Sequence, residues 1–470
     1  TLPPINLGKR LDYLIQYPHG CVEQTTSSVF PQLYLTDLMD LPDNKKQAIQ
    51  KNITAGIEKL SHFQTATGGF AYWQGLTEAD DWATSYVGHF LLEAEKKGYT
   101  VPNAMKNNWL NYQKRIAKEW RMGDYGNDFA QAYRLFTLAL ANNSDIASMN
   151  RLRETQGISN DAKLRLALAY TIVGQKNIGY ALLSNSSVEP AQNSYYYYYG
   201  SAERNRAMIL ETYTLLDRKE EAFQTAQKVA ASLSSESWMS TQSTAYSLLA
   251  VAKFAKTISA KECNVSFTYN GKTETVRSSK FLVIKELNAA SGSSSINIKN
   301  NVDGNVYARV IASGILPVGQ EIEEARGLTV SNRYEDAKGN ALNISSLSQG
   351  TSFTAYVTVT NTKTERVENV ALTQLLPSGW EIVNTRFTDA ESSNDASTSS
   401  ATNNVDYLDI RDDRANYYFS LKANETRTFK LQLNASYLGS YYLPGTQCEA
   451  MYDNNYFARK KGQWIKVEKQ

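Results

Sequence analysis

The chain has 470 residues, 42% apolar and 20% charged, and a formal net charge of +2. That length accommodates roughly two to four domains of ordinary soluble composition, and near-neutrality leaves no electrostatic footprint for nucleic acid or an anionic membrane. Three cysteines, an odd number, argue against a disulfide framework, and three histidines in the whole chain against a metal centre or histidine-driven catalysis.

The opening TLPPINLGKR carries no signal peptide and reads as the interior of a longer chain. No apolar run reaches the ~18 residues expected of a membrane-crossing helix. Next comes YPHGCVEQTTSS (17–28), with Cys21 three residues ahead of Gln24 and directly after Gly20, a turn former. An isolated cysteine is by default a small core hydrophobe, and packing, an enzyme nucleophile and a bond within the chain are all open at this point. A thiol and a carboxamide can condense with loss of ammonia to give an internal thioester. The sulfur must attack as thiolate, a three-residue spacing around a helical turn brings the two side chains together, and proximity substitutes for activation. Water would hydrolyse the product, so the ring needs shielding, and Tyr13, Tyr17 and Phe30 are the aromatic residues near it in sequence.

Residues 1 to 256 read as helices. QKNITAGIEKLSHF, SYVGHFLLEAEKKGY, AQAYRLFTLALANN, AKLRLALAYTIVGQ, RNRAMILETYTLLD and STAYSLLAVAKFAK carry apolar residues at three-to-four spacing. Ala83, Ala132, Ala167, Ala207 and Ala245 stand early in successive segments, a recurrence of roughly 35–50 residues that suits stacked helix hairpins in a solenoid or a closed ring. The loop TGGFAYWQG (67–75) supplies tight turns and aromatic plugs.

From residue 257 the apolar period becomes two. Cys263, Val265, Phe267 and Tyr269 alternate with polar residues, and Asn270-Gly271 signals a hairpin. Phe353, Ala355, Val357 and Val359 share a face, as do Phe429, Leu431 and Leu433, which argues for β-sandwich structure. GILPVGQEIEEARGL (314–328) marks a boundary, so the expected units are 1–256, 257–318 and 319–470. The middle one is marginal as an independent sandwich. Strands preceding residue 1 would complete it and make the helical part an insertion. TDAESSNDASTSSATNN (388–404) is a polar, low-complexity loop.

GCVEQ matches the Gly-Cys-x-Glu-Gln thioester motif of the α2-macroglobulin and complement family, and YPHGCVEQTTSSVFPQLYL resembles its bacterial branch. Four companions occur in order: GGFAYWQG with WATSYVGHFLLEAEKKGY, then WMSTQSTAYSLLAVAKF, VDYLDIRDDRANYYF and PGTQCEAMYDNNYFAR. The likeness spans essentially the whole chain. It implies an α/α-toroid thioester domain over 1–256, the C-terminal part of a CUB-like β domain over 257–318 and a macroglobulin-like β-sandwich over 319–470. It further implies a covalent protease inhibitor without cofactor or turnover, in which Cys21 is the thiol leaving group and Gln24 the acyl group attacked by a surface amine of the target protease. Glu23 would position the turn, and Tyr17 and Met451 would shield the bond. N-terminal macroglobulin domains, a cut bait region and a periplasmic, lipid-anchored location belong to the same implication, as does a penicillin-binding protein as an accompanying partner. Complement-type members that acylate hydroxyls use a histidine from a later toroid loop. The corresponding stretch AQAYRLFTLALANNSD has none, so direct attack by amines is expected.

Other readings are weaker. A His89–Cys21 protease dyad competes with an ordinary helical histidine, and His19 with a polar turn residue. Cys263 and Cys448 read as packing residues, with a bridge between them as the alternative. Arg411 to Arg414 (RDDR) reads as a surface salt-bridge turn. A glycan-acting toroid enzyme would need paired carboxylates, for which Asp80 with Asp81 or Asp124 with Asp128 are available. A binding module with a decayed thioester is the third class. The tyrosine run Tyr195–Tyr199 has no assigned role.

Overall fold

A computed structural model describes residues 10, 20–123, 127–184, 189–190, 200–235, 238–257, 263–280, 282–288, 295–303, 306–312, 314–383 and 405–469. Tyr13, Tyr17, His19, Asp124, the Tyr195–Tyr199 run and the 388–404 loop lie outside them. The chain forms two compact units, Thr1–Ile311 and Ala312–Gln470.

Among the described residues the first unit has helices α1 (Val22–Val29), α2 (Leu35–Leu38), α3 (Asp43–Ser61), α4 (Asp81–Lys96), α5 (Asn103–Glu119), α6 (Asp128–Leu140), α7 (Ile146–Glu154), α8 (Asn160–Ile172), α9 (Lys176–Leu183), α10 (Ala202–Leu215), α11 (Lys219–Ser234) and α12 (Thr241–Ala255). Two classes alternate. In α4, α6, α8, α10 and α12 nearly every side chain is buried, whereas α3, α5 and α11 bury one stripe. The all-buried helices form a closed circuit. α1 packs on α4, α4 on α6, α6 on α8, α8 on α10 and α10 on α12, and α12 packs back on α1. This is an α/α toroid with the one-stripe helices outside. The sequence segments at 85–99, 130–143, 162–175, 204–217 and 243–256 fall on inner helices, and the one at 50–63 on an outer helix.

Charge lies inside this ring. The Glu211 carboxylate (α10) receives Arg165 of α8 at 2.8 Å, Lys253 of α12 at 2.8 Å and the Tyr246 hydroxyl of α12 at 2.6 Å. Glu93 (α4) accepts from Lys253 at 3.2 Å and from the Tyr34 hydroxyl at 2.6 Å. His89 (α4) stands 3.6 Å from Glu211, with its Nδ1 3.1 Å from the Tyr133 hydroxyl of α6. Although burial opposes their ionisation, Lys253 and the neighbouring cations hold Glu93 and Glu211 well below the usual carboxylate range. His89 is pushed the other way, towards its neutral form, chiefly by burial. Because α4, α6, α8, α10 and α12 each supply at least one partner, the network clasps the ring from inside.

The same unit contains three strands, β1 (Cys263–Tyr269), β2 (Lys272–Ser278) and β3 (Ile296–Asn300), in the order β2-β1-β3. Tyr269 pairs with Lys272 across Asn270-Gly271, both at positive φ, as the hairpin signal predicts. Backbone and side chains tie this sheet to the helices: the Leu282 N–H donates to the Leu38 carbonyl at 3.0 Å, and the Ser278 hydroxyl to Asp40 at 2.7 Å. Cys263 departs from expectation. It is half-buried, because every residue of β1 keeps partial exposure.

The second unit is a β-sandwich. Its strands are β4 (Glu324–Arg326), β5 (Leu328–Asp336), β6 (Ser346–Ser348), β7 (Ser352–Asn361), β8 (Val367–Leu375), β9 (Trp380–Ile382), β10 (Tyr407–Arg411), β11 (Arg414–Leu421), β12 (Thr426–Ala435), β13 (Gly439–Leu443), β14 (Gln447–Ala450), β15 (Asp453–Arg459) and β16 (Gln463–Glu468). A sheet ordered β10-β11-β8-β14-β15-β4 and a sheet ordered β5-β7-β12-β9 enclose one core. Phe429, Leu431 and Leu433 pair with Val357, Ala355 and Phe353, and all six are buried as their alternation predicts. Cys448 is buried in β14, and all three cysteines are free, so no Cys263–Cys448 bridge forms. Arg411 and Arg414 flank a hairpin turn, where Arg414 meets Asp413 at 2.6 Å on the surface.

Removing Glu211 leaves Arg165 and Lys253 buried beside it without their shared counter-charge. Glu211→Ala should cost the helical unit about 3–5 kcal/mol in denaturant unfolding followed by helical circular dichroism. The pH dependence has a definite sign. His89, Glu93 and Glu211 all have lowered values in the folded protein, so the unfolded chain binds protons first and stability falls with acidification. His89 contributes below about pH 6.5 and the carboxylates below about pH 4.5. The urea midpoint should fall between pH 7 and pH 5, and His89→Gln should flatten that interval.

Candidate functional site

Gly20, Cys21, Glu23 and Gln24 stand together at the start of α1. Gly20 has φ +86°, and Cys21 returns to extended backbone at φ −69°, ψ 175° as the N-cap. A capping box closes around it. The Gln24 N–H donates to Cys21 Sγ at 3.5 Å, and the Cys21 N–H donates to Gln24 Oε1 at 3.3 Å. The i,i+3 spacing thus brings thiol and carboxamide onto one turn. Gly20 has two reasons to be glycine: its φ is left-handed, and a Cβ there would meet Gln24 Oε1 at 2.0 Å.

Cys21 is completely buried. Burial first, then the charge of Glu23, pushes its thiol up to about 12, against the opposing pull of the Tyr72 hydroxyl and the Gln24 and Glu23 backbone N–H groups. The site therefore disfavours a free thiolate and tolerates a neutral sulfur. The loop before α4 supports it, because the Val22 N–H donates to the Tyr72 carbonyl at 3.0 Å and the Tyr72 ring packs edge-on against Trp73 at 5.3 Å.

Glu23 is buried and points sideways. Its Oε1 accepts from the Ser27 hydroxyl at 2.5 Å, and the Thr241 hydroxyl of α12 lies 3.2 and 3.1 Å from its two oxygens. Ser27 in turn meets the Tyr86 hydroxyl at 3.1 Å. Thr241 was not among the residues singled out by sequence; a hydroxyl opening WMSTQSTAY gives no sign of a partner more than two hundred positions away.

The other candidates are placed elsewhere. His89 faces Tyr133, Phe30, Phe136, Glu93 and Glu211 in the ring interior. Asp80 caps α4 by accepting from the Ala83 N–H at 2.7 Å, and Asp81 pairs with Arg134 at 2.7 Å. Asp128 accepts from the Ser159 N–H. These carboxylates serve as caps and partners. Met451 belongs to the second unit, where its N–H donates to the Asn369 carbonyl at 2.9 Å.

Residues 5–118 match the profile of the A-macroglobulin TED domain, and residues 327–455 that of the bacterial alpha-2-macroglobulin MG10 domain. Both are domains of the alpha-2-macroglobulin family. The chain is 23% identical over 487 residues to the alpha-2-macroglobulin of Escherichia coli K12, covering 96% of this chain and 28% of that protein. With the alpha-2-macroglobulin of Xylella fastidiosa Temecula1 it is 25% identical over 486 residues, 96% of this chain and 29% of that one. The chain thus spans under a third of the length of these relatives. Among solved structures, native E. coli alpha-2-macroglobulin from domain MG7 to the C-terminus superposes with TM-score 0.78 at 20% identity, over 99% of this chain and 76% of that one. Salmonella alpha-2-macroglobulin reacted with methylamine superposes with TM-score 0.79 at 21% identity, over 99% and 31%. The TED match includes Cys21 to Gln24, and the MG10 match falls within the second unit.

Gly20→Ala should disrupt the capping box through both strain and overlap. It should lower the unfolding free energy of the helical unit by about 1–3 kcal/mol, read as a reduced urea midpoint with an unchanged m-value.

Proposed function

We propose that this chain is the thioester-bearing part of an alpha-2-macroglobulin that captures proteases covalently, acting once as an acyl donor. The observation that carries the reading is the reciprocal hydrogen bonding of Cys21 and Gln24 at a helix start in which Cys21 is fully buried. When the sulfur condenses with the carboxamide, ammonia leaves and a neutral acyl–sulfur bond replaces the ionisable thiol that burial penalises. The Cys21 N–H already donates to the oxygen on which negative charge gathers during acyl transfer.

In the capture step a lysine amine of the protease attacks the Gln24 acyl carbon. The carbon–sulfur bond breaks with its electron pair going to Cys21, an amide forms, and the proton shed by the amine leaves a thiol on Cys21. The Tyr72 hydroxyl and the Gln24 N–H face the departing sulfur and ease its negative charge. Direct aminolysis fits the surroundings, since His89 is committed to the ring interior and α6 contains no histidine. Shielding by Tyr17 and Met451, bait-region cleavage, N-terminal macroglobulin domains, a penicillin-binding partner and a periplasmic, lipid-anchored location remain part of this proposal through the family resemblance. So does the assignment of β1–β3 to a CUB-like domain, for which the partial exposure along β1 supports a need for further strands.

Methylamine should add to Gln24 and release one titratable thiol at Cys21, Cys21→Ala should abolish both events, and glycerol should label far less. Equal labelling by glycerol would overturn the amine preference, and no labelling of fresh protein by methylamine would overturn the acyl-donor reading.

A further inference from the structure

The thioester motif stands at the place where the helical ring closes. α1 is the first inner helix and α12 the last, and the contact between them completes the circuit. At that seam Glu23, two residues after Cys21 and adjacent to Gln24, turns its buried carboxylate onto the hydroxyl of Thr241, the first residue of α12. We propose that Thr241 is a positioning residue for the thioester: its hydroxyl, bridging both carboxylate oxygens of Glu23 across the ring seam, holds the first turn of α1 in the geometry that keeps Cys21 and Gln24 together. The inference rests on the acyl-donor reading above.

Three features support it. First, the carboxylate is held from both sides of the seam, by Thr241 on α12 and by Ser27 one turn along α1, and Ser27 is itself fixed by Tyr86 of α4. Three inner helices therefore converge on one side chain of the motif. Second, Thr241 occupies the first helical position of α12, behind the Ser240 cap, so Glu23 approaches the electropositive end of that helix. Third, a negative charge close to the sulfur opposes departure of a thiolate, and a donor that draws the carboxylate towards α12 moderates that opposition. The hydroxyl thus links completion of the helical ring to assembly of the reactive turn, although the two residues are 218 positions apart.

The test compares wild type, Thr241→Val and Thr241→Ser in the full chain. Valine preserves shape and removes the donor, whereas serine keeps the donor and removes a methyl group. Intact mass of freshly purified protein reads ring closure as the loss of one ammonia, and the reappearance of a Cys21 thiol in buffer reads ring survival. With unchanged melting temperature, Thr241→Val should close the ring in a minority of molecules and lose those closed rings at least about tenfold faster than wild type, and Thr241→Ser should behave as wild type. Wild-type closure and survival in Thr241→Val would overturn the inference. So would equal defects in the valine and serine variants, or a valine variant that melts well below wild type, since both outcomes point to packing. If wild type itself shows neither ammonia loss nor methylamine uptake, the acyl-donor reading fails and this inference fails with it.

Discussion

Two hydrogen bonds of a capping box, from the Gln24 N–H to the Cys21 sulfur and from the Cys21 N–H to the Gln24 side-chain oxygen, are the constraint on which the site depends. Capping boxes ordinarily satisfy orphan donors at a helix start. Here the same geometry places a nucleophilic atom and an acyl group on one turn, with a polarising donor on the carbonyl oxygen. Gly20 permits the turn, Cys21 is fully buried within it, and Gly20 and Gln24 keep partial exposure. In the proposed acyl donor, local helix chemistry and reaction chemistry would use the same atoms, so a change that loosens the cap would also separate Cys21 from Gln24.

The surrounding ring serves that turn. A helix of eight residues is too short to fix its first turn through its own backbone bonds. Packing of α1 against α4 and α12, and the side-chain ties of Glu23, provide the rigidity. Deeper in the ring, Glu93, Glu211, Lys253 and Arg165 bind the inner helices together through buried charge. Such a network contributes little net stability over an apolar core, yet it is costly to break and selects one arrangement of helices. Acid weakens the clasp by protonating what the fold keeps unprotonated.

Much of this could be read from the residues alone. The burial of Phe353, Ala355, Val357 and Val359 and of Phe429, Leu431 and Leu433 follows from alternation, and the Asn270-Gly271 hairpin from turn chemistry, whereas alternation does not say that those two strands pair. The helical segments were found where apolar residues are dense, which favoured inner helices. α5 and α11 are not singled out, because each buries a single stripe amid polar residues, and α7 and α9 are too short, at nine and eight residues, to show a clear period. Cys263 is less buried than its alternation predicts, because alternation reports which residues share a face but not whether that face is covered. The second compact unit begins at Ala312, seven residues before the expected boundary at 319, and the short β segment joins the helices through Leu282 and Ser278. At the candidate site, the three-residue spacing places Cys21 and Gln24 on one turn, where the capping box joins them. Tyr72 and Thr241 are not legible in this way, since only the tertiary fold brings them to Cys21 and Glu23.

The most direct test is the intact mass of freshly purified protein together with a thiol titration under denaturing conditions. The account predicts a chain lighter than its sequence by one ammonia, with Cys21 unavailable to a thiol reagent until an amine is added. A full sequence mass with three titratable thiols and an unmodified Gln24 would contradict it.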